Sequence, residues 1–276
     1  MASLTLFEQG NHRNVLLEDF GSGLAVQANQ HLIVHGDRAL LLDPGGHKIY
    51  SKARSEVNAL LKGTRLTDIF LSHQDPDIVA ALNGWLMTSD AQAHVPALWI
   101  RFVAHFGIDS LVESRIVPIP DRGRRLDLGD SAQSERHEER ATASGRAKPG
   151  ASSGPCELIL LPAHFLHSCG NYHVYDPIAR ILYSGDLGGS FGINYRKVED
   201  FDRHIGTMLG FHERVMASGV ALKRWAKLVR TLDVQTIAPQ HGAYFEGPEM
   251  VGRFLDWIET LECGLDHLDL LSGLPA

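Results

Sequence analysis

The chain has 276 residues, 44% hydrophobic and 21% charged, enough for one large α/β domain with a substantial core. Its 26 basic and 33 acidic residues leave a formal net charge of −7, which argues against the concentrated basic face that nucleic acid or an anionic membrane would need. Cys156, Cys169 and Cys263 are too few and too scattered for a disulfide framework, the N-terminus has no basic segment followed by an apolar run, and no stretch approaches the length of a membrane span, so a reduced, cytoplasmic protein is expected.

Residues 12–44 alternate short apolar strands with turns: Asn14 to Leu17, His31 to His35, then Ala39 to Asp43, with Gly36-Asp37 as a hairpin signal. Pro44-Gly45-Gly46 ends the third strand, and Ile49 to Leu61 has the apolar spacing of an amphipathic helix. Thr67 to Ser72 reads as a strand, and Ile78 to Leu82 as the start of a helix. A further α/β stretch runs through Ala97-Ile100 to Ile116-Ile119. Residues 129–154 are rich in Ser, Gly, Ala and charge without aliphatic periodicity, and are expected to be a flexible surface insertion. Strands resume at Glu157-Leu161, Tyr172-Tyr175 and Ile181-Ser184. Helical spacing follows over 199–231 in Phe201, Ile205, Met208, Leu209 and Val215; Val234 to Pro239 is a last strand, and 248–269 a C-terminal helix. The pattern predicts a single α/β domain over 1–276, with two sheets packed face to face and flanked by helices.

Polar residues gather where strands end. His73-Gln74-Asp75-Pro76-Asp77 places three candidate ligands in five residues after one strand, on a strand-to-helix turn where side chains converge. Strand 157–161 leads to His164, His167 and Cys169, strand 181–184 to Asp186, and the last strand to His241. Asp77 alone would read as an ordinary helix cap; in the company of the other segments it reads as a ligand. Carboxylate oxygens mixed with imidazoles suit iron or manganese, with zinc the alternative. The glycines around Asp186 come without the lysine of a phosphate loop.

HxDxD after a strand, followed in order by HSCG, SGDLG and PQHG, with Asp43 in an early LLDPG segment, resembles the metallo-β-lactamase superfamily across nearly the whole chain outside 129–154. Hydrolytic zinc members typically carry HxHxDH at the first motif, whereas this chain has Asp75 and Ile78 at two of those histidine positions. A carboxylate at position 75 is similar instead to the diiron branch, which includes the flavodiiron O2 and NO reductases and stand-alone oxygen-binding diiron proteins. The resemblance implies an αββα sandwich of two mixed sheets and a site for two iron ions. His73, Asp75 and His167 would hold one, Asp77 and His241 the other, and Asp186 would bridge them. His164 competes with His167 for its place; His167 has the better motif context, which leaves His164 as a donor orienting a ligand. Ile78 cannot ligate, so the second ion is expected to keep an open position beside a dry wall.

The implied function is O2 or NO binding, as a sensor or as a reductase fed by a separate redox donor, since no flavodoxin-like segment with a flavin loop stands out. A homodimer and a signalling partner are implied likewise. The competing reading is a binuclear hydrolase of an ester, thioester, lactone or phosphodiester, against which Asp75 and Ile78 both count. Trp85, Tyr195 and His212 are candidates for a gas pocket, with core or rim packing the plainer role for each, and Cys169 is expected to be a small buried hydrophobe.

Overall fold

A computed structural model describes residues 3–17, 26–129 and 155–271. The first seven strands form one sheet in sequential order: β1 (Leu4–Gln9), β2 (His12–Leu17), β3 (Gln30–His35), β4 (Arg38–Leu42), β5 (Arg65–Phe70), β6 (Gln92–Pro96) and β7 (Ile116–Ile119). β1 to β4 pair antiparallel, and β4 to β7 parallel. The second sheet has the order β13-β12-β11-β10-β9-β8, built from β8 (Arg124–Asp127), β9 (Glu157–Pro162), β10 (Tyr172–Asp176), β11 (Ile181–Tyr183), β12 (Thr236–Ala238) and β13 (Phe245–Glu246). Both sheets are mixed, because β11 and β12 run parallel among antiparallel neighbours.

Alternation along the strands sorts the apolar residues into three layers. On β9, Leu158 and Leu160 face the first sheet with Ile33, Leu40, Leu42 and Phe70, while Leu161 faces outward. The outer face of the first sheet packs on helices Tyr50–Leu61 and Leu82–Met87 through Val57, Leu61, Leu82 and Trp85. The outer face of the second packs on helices Phe201–Val215, Gly219–Val229 and Pro248–Thr260 through Met208, Leu222, Trp225 and Phe254. The architecture is therefore the expected αββα sandwich.

Three expectations shift. Strand β1 was unmarked by its sequence; its pattern is half exposed because it lies at a sheet edge. The helical stretch 199–231 is two helices, interrupted at Met216-Ala217-Ser218, where the Ser218 side chain accepts from the Ala221 N–H and caps the second. The C-terminal helix ends at Thr260; beyond it the described residues form a 3-10 turn over Gly264–His267 and a four-residue helix over Leu268–Leu271. The insertion expected at 129–154 lies, from residue 130 onward, outside the described residues. No helix among the described residues is long and apolar enough to cross a membrane.

Candidate metal centre

Parallel pairing decides where the polar turns collect. β4 and β5 are parallel neighbours in one sheet and β11 and β12 in the other, so each pair delivers its following loops to the same rim of the sandwich. The loop after β5 carries His73, Asp75 and Asp77; the loops after β9, β11 and β12 carry His167, Asp186 and His241.

All six side chains meet there. His73, Asp75, His167 and Asp186 each offer a donor atom within 4.8 Å of the others. His167 Nε2 lies 3.1 Å from His73 Nε2, 3.4 Å from Asp75 Oδ2 and 3.0 Å from Asp186 Oδ2. His241 Nε2 lies 3.6 Å from Asp77 Oδ2 and 3.4 Å from Asp186 Oδ1. The two oxygens of Asp186 thus face two different groups. Donors that share an ion at about 2.0–2.2 Å stand roughly 3.0–3.6 Å from one another, so the spacing suits two ions with Asp186 between them. Asp186 Oδ1 is buried and has no hydrogen-bond donor, which for a carboxylate oxygen calls for a cation.

Neighbouring groups fix the donors. Ser72 Oγ meets His73 Nδ1 at 2.9 Å, and His241 Nδ1–H donates to the Gln27 carbonyl, which leaves each Nε2 turned to the cluster. Ser72 N–H donates to Asp43 Oδ1 at 2.8 Å, so the predicted structural aspartate anchors the residue before His73. Gln74 joins the loops of the two sheets: its Nε2 donates to Asp75 Oδ1, and its Oε1 accepts from Ser168 Oγ at 2.7 Å. The sequence singled out neither Gln74 nor Ser168 for this. Gly242, directly after His241, has φ +77°, and a Cβ there would run into Ser190.

The electrostatics also call for positive charge. Burial alone would raise the Asp186 carboxyl, but the imidazoles of His167 and His241 close beside it outweigh burial and hold the group well below the usual carboxylate range. Burial likewise opposes charge on His167, yet Asp186 and Asp75 raise it to about 10; His241 rises to about 9, burial being outweighed chiefly by Asp186. In a metal-free chain, protons on these imidazoles supply the charge that ions would bring. Asp77 differs: burial dominates and raises its carboxyl.

Other candidates fall elsewhere. His164 Nε2 donates to the Asp121 carbonyl at 2.8 Å and is not among the gathered donors. Ile78 is fully buried in the helix-side core and does not line the cavity beside the cluster, so it is not the wall of an open position. Trp85 is a core residue whose Nε1–H donates to Pro44, and Tyr195 lies on the rim, hydrogen bonded to His204. His212 is buried behind the site: its Nδ1–H donates to Met208 O, and its Nε2 accepts from Gly188 N–H at 2.9 Å, securing the loop after Asp186. Cys169 is exposed rather than buried, because its loop turns the side chain outward between Ser168 and Gly170. A cavity of about 850 Å³ opens onto Asp75, Asp77, Asp186 and His241, and its walls include Val26, Ala28, Ile49, Phe191 and Phe211.

A family model described as "ODP family beta lactamase" matches residues 26–136 and 143–242. Among solved structures, the chain is similar to one titled "Peroxy diiron species of chemotaxis sensor ODP", at 33% identity and TM-score 0.80, covering 99% of this chain and 100% of that one. It is similar to the apo state of the chemotaxis sensor ODP from T. denticola at 32% identity and TM-score 0.78, covering 98% and 99%. The rubredoxin oxygen:oxidoreductase of Desulfovibrio gigas shares the fold at 12% identity and TM-score 0.70, over 93% of this chain and 61% of that one. No curated protein matches the chain.

Proposed function

This chain belongs to the ODP family of β-lactamase-type proteins, and from that membership we propose that it is a non-haem diiron protein that takes up O2 as a sensor. The observation that carries the reading is the division of Asp186, with Oδ2 toward His167 and Oδ1 toward His241. On this reading His73, Asp75 and His167 hold one iron, Asp77 and His241 the other, and Asp186 gives an oxygen to each. Three imidazoles and three carboxylates form a hard-to-borderline set that suits iron, and three negative charges offset much of the charge of two such ions. Bound ferrous iron supplies open coordination and electrons for O2.

The chain's own residues do the rest. Ser72 and the Gln27 carbonyl hold the tautomers of His73 and His241, and the Gln74–Ser168 bond keeps the two ligand loops in register. Phe191, Phe211, Ile49 and Val26 give the approach an apolar lining, which disfavours ordered water and admits a small apolar gas. Asp75, where hydrolytic relatives carry histidine, counts against an esterase. A sensor works without a rapid electron supply, and it implies a signalling partner and, with the family resemblance, a homodimer; O2 rather than NO is the ligand suggested by the chemotaxis-sensor relatives.

Anaerobic purification, metal analysis and the visible spectrum before and after air test this. About two irons per chain and an oxygen-dependent absorption band are expected. Two zincs with ester turnover and no response to O2 would overturn the reading.

A further inference from the structure

A second cluster of metal-type donors lies between the sheets, sharing no residue with the first. His12 opens β2 and His35 closes β3, and the two are direct cross-strand partners with side chains toward the second sheet. Cys156 stands immediately before β9, and Asp176 is the last residue of β10. His12 and His35 are 2% and 4% exposed, and Cys156 and Asp176 are fully buried, so each polar atom must find its partner inside the protein.

The donor atoms face one another. His12 Nδ1 lies 3.1 Å from His35 Nδ1 and 3.8 Å from Cys156 Sγ, and all three residues offer donors within 4.8 Å. An ion at about 2.0–2.1 Å from nitrogen and about 2.3 Å from sulfur, at tetrahedral to trigonal angles, sets N···N near roughly 3.3–3.6 Å and N···S near roughly 3.5–3.8 Å. The two edges that meet at His12 thus stand within a few tenths of an ångström of those of a coordination sphere, and the His35–Cys156 edge closes to within 4.8 Å.

Asp176 supports the arrangement from behind. Its Oδ2 takes His12 Nε2–H at 2.8 Å and Asn14 Nδ2–H at 2.7 Å, while Oδ1 accepts the N–H groups of Ile178 and Ala179. A carboxyl surrounded by four donors is an ionised acceptor, so the proton of His12 resides on Nε2 and the Nδ1 lone pair points at His35 and Cys156. A carboxylate behind a histidine in this way orients a metal ligand and raises its basicity.

We propose that His12, His35 and Cys156 form a mononuclear site, two nitrogens and one sulfur, for one thiophilic d10 cation, zinc(II) or copper(I). Two imidazoles with one thiolate select such ions over the iron suited to the carboxylate-rich centre. On binding, the Cys156 S–H bond breaks as the S–metal bond forms and its proton leaves to solvent, while His35, whose Nδ1–H faces the His12 Nδ1 lone pair in the metal-free chain, moves its proton to Nε2 so that Nδ1 can ligate; no oxidation state changes. The ion ties β2 and β3 of one sheet to the start of β9 in the other. It lies at the opposite end of β9 from the His167 loop, six residues along the strand, about 20 Å away. It therefore acts as a staple between sheets, not as part of O2 uptake.

The test titrates full-length protein, iron centre in place, with cobalt(II) as a coloured stand-in. One equivalent should give a sulfur-to-cobalt band in the near ultraviolet, which the carboxylate–imidazole centre cannot produce. Zinc(II) should bleach it, and copper(I), added anaerobically against a chromophoric chelator, should bind in the same one-to-one ratio if it is the preferred ion. The band should persist in Cys169→Ser and vanish in Cys156→Ser, with His35→Asn lowering affinity at least tenfold in chain that keeps its circular dichroism. Absence of the band in the unaltered protein, or its survival in Cys156→Ser, would mean that these groups are only hydrogen bonded, and would overturn the proposal; the unaltered chain alone decides this should a variant not fold.

Discussion

Asp43 and Ser72 follow the ends of the adjacent parallel strands β4 and β5, and the 2.8 Å bond from Ser72 N–H to Asp43 Oδ1 fixes where the turn that carries His73 begins. Asp43 adopts φ +49°, an uncommon conformation for a residue with a side chain, directly after β4.

Removing that acceptor leaves a buried N–H without a partner. Asp43→Ala should destabilise the fold by about 1–3 kcal/mol and weaken iron retention about 10–100-fold, as loss of a group behind a ligand typically does. Asp43→Asn keeps an acceptor and should retain most of the iron. Metal analysis after dialysis against a weak chelator distinguishes them; equal retention in both variants and the parent would remove Asp43 from the account.

Asp186 is the donor that both halves of the cluster share. Asp186→Ala should lower iron below one per chain, whereas Asp77→Ala should leave about one, because His73, Asp75, His167 and Asp186 still converge. Elemental analysis of the two variants checks this; identical losses would argue against unequal roles.

Metal loading should release protons. With His167 raised to about 10 and His241 to about 9, both are protonated at pH 7 in the metal-free chain and must become neutral to ligate. Affinity should therefore rise with pH, by up to about tenfold per unit for each proton displaced, and level off above pH 9 to 10. For the metal-free fold the sign is opposite: the imidazole–carboxylate pairs stabilise fully below the ordinary histidine range, and that contribution is lost as pH rises through 9 to 10. Calorimetry in buffers of different ionisation enthalpy would reveal the released protons; a pH-independent affinity would contradict the pairing.

His212 predicts acid lability. Burial lowers it to about 4, and its Nε2 must stay unprotonated to accept the Gly188 N–H. Because the unfolded state takes up the proton first, stability is complete above about pH 6.5 and is lost as pH falls toward 4, by about 1.4 kcal/mol per unit for one such group. Buried His173 and His31, both lowered to about 3, add to the slope. Asp43, raised to about 6 by burial, opposes it between pH 4 and 6. Urea titrations across this range should show His212→Gln with a shallower slope than the parent.

Position 75 tests metal choice. Asp75→His replaces a hard oxygen by an imidazole and should shift the bound metal from iron toward zinc when both are supplied equally. Unchanged iron content would show that the rest of the donor set decides.

The polar turns that gather at the candidate centre were legible because they follow apolar strands and stand beside Gly and Pro, a local signal. The two-sheet architecture was legible from strand order and alternation. What stayed hidden depends on distant pairing. Gln74 and Ser168 are ordinary polar residues until two loops, 94 positions apart, bring them to 2.7 Å. His12 and Asp176 are 164 positions apart, with nothing in either neighbourhood to mark them as partners. Ile78 looked like a site residue because its motif position is one; its helix turns it into the core. The break at Ser218, which caps the second helix, stayed hidden because helical spacing continues on either side of it.

The division of the six donors between two sheets makes the centre a joint possession. His73, Asp75 and Asp77 belong to the part of the chain that builds the first sheet; His167, Asp186 and His241 belong to the part after Cys156. Neither part owns more than three donors, and Asp186 has partners on both sides. A chain divided between residues 129 and 155 should therefore yield two fragments with little separate appetite for iron. Mixed together, they should recover it only as they reassociate, making metal uptake a measure of fragment complementation.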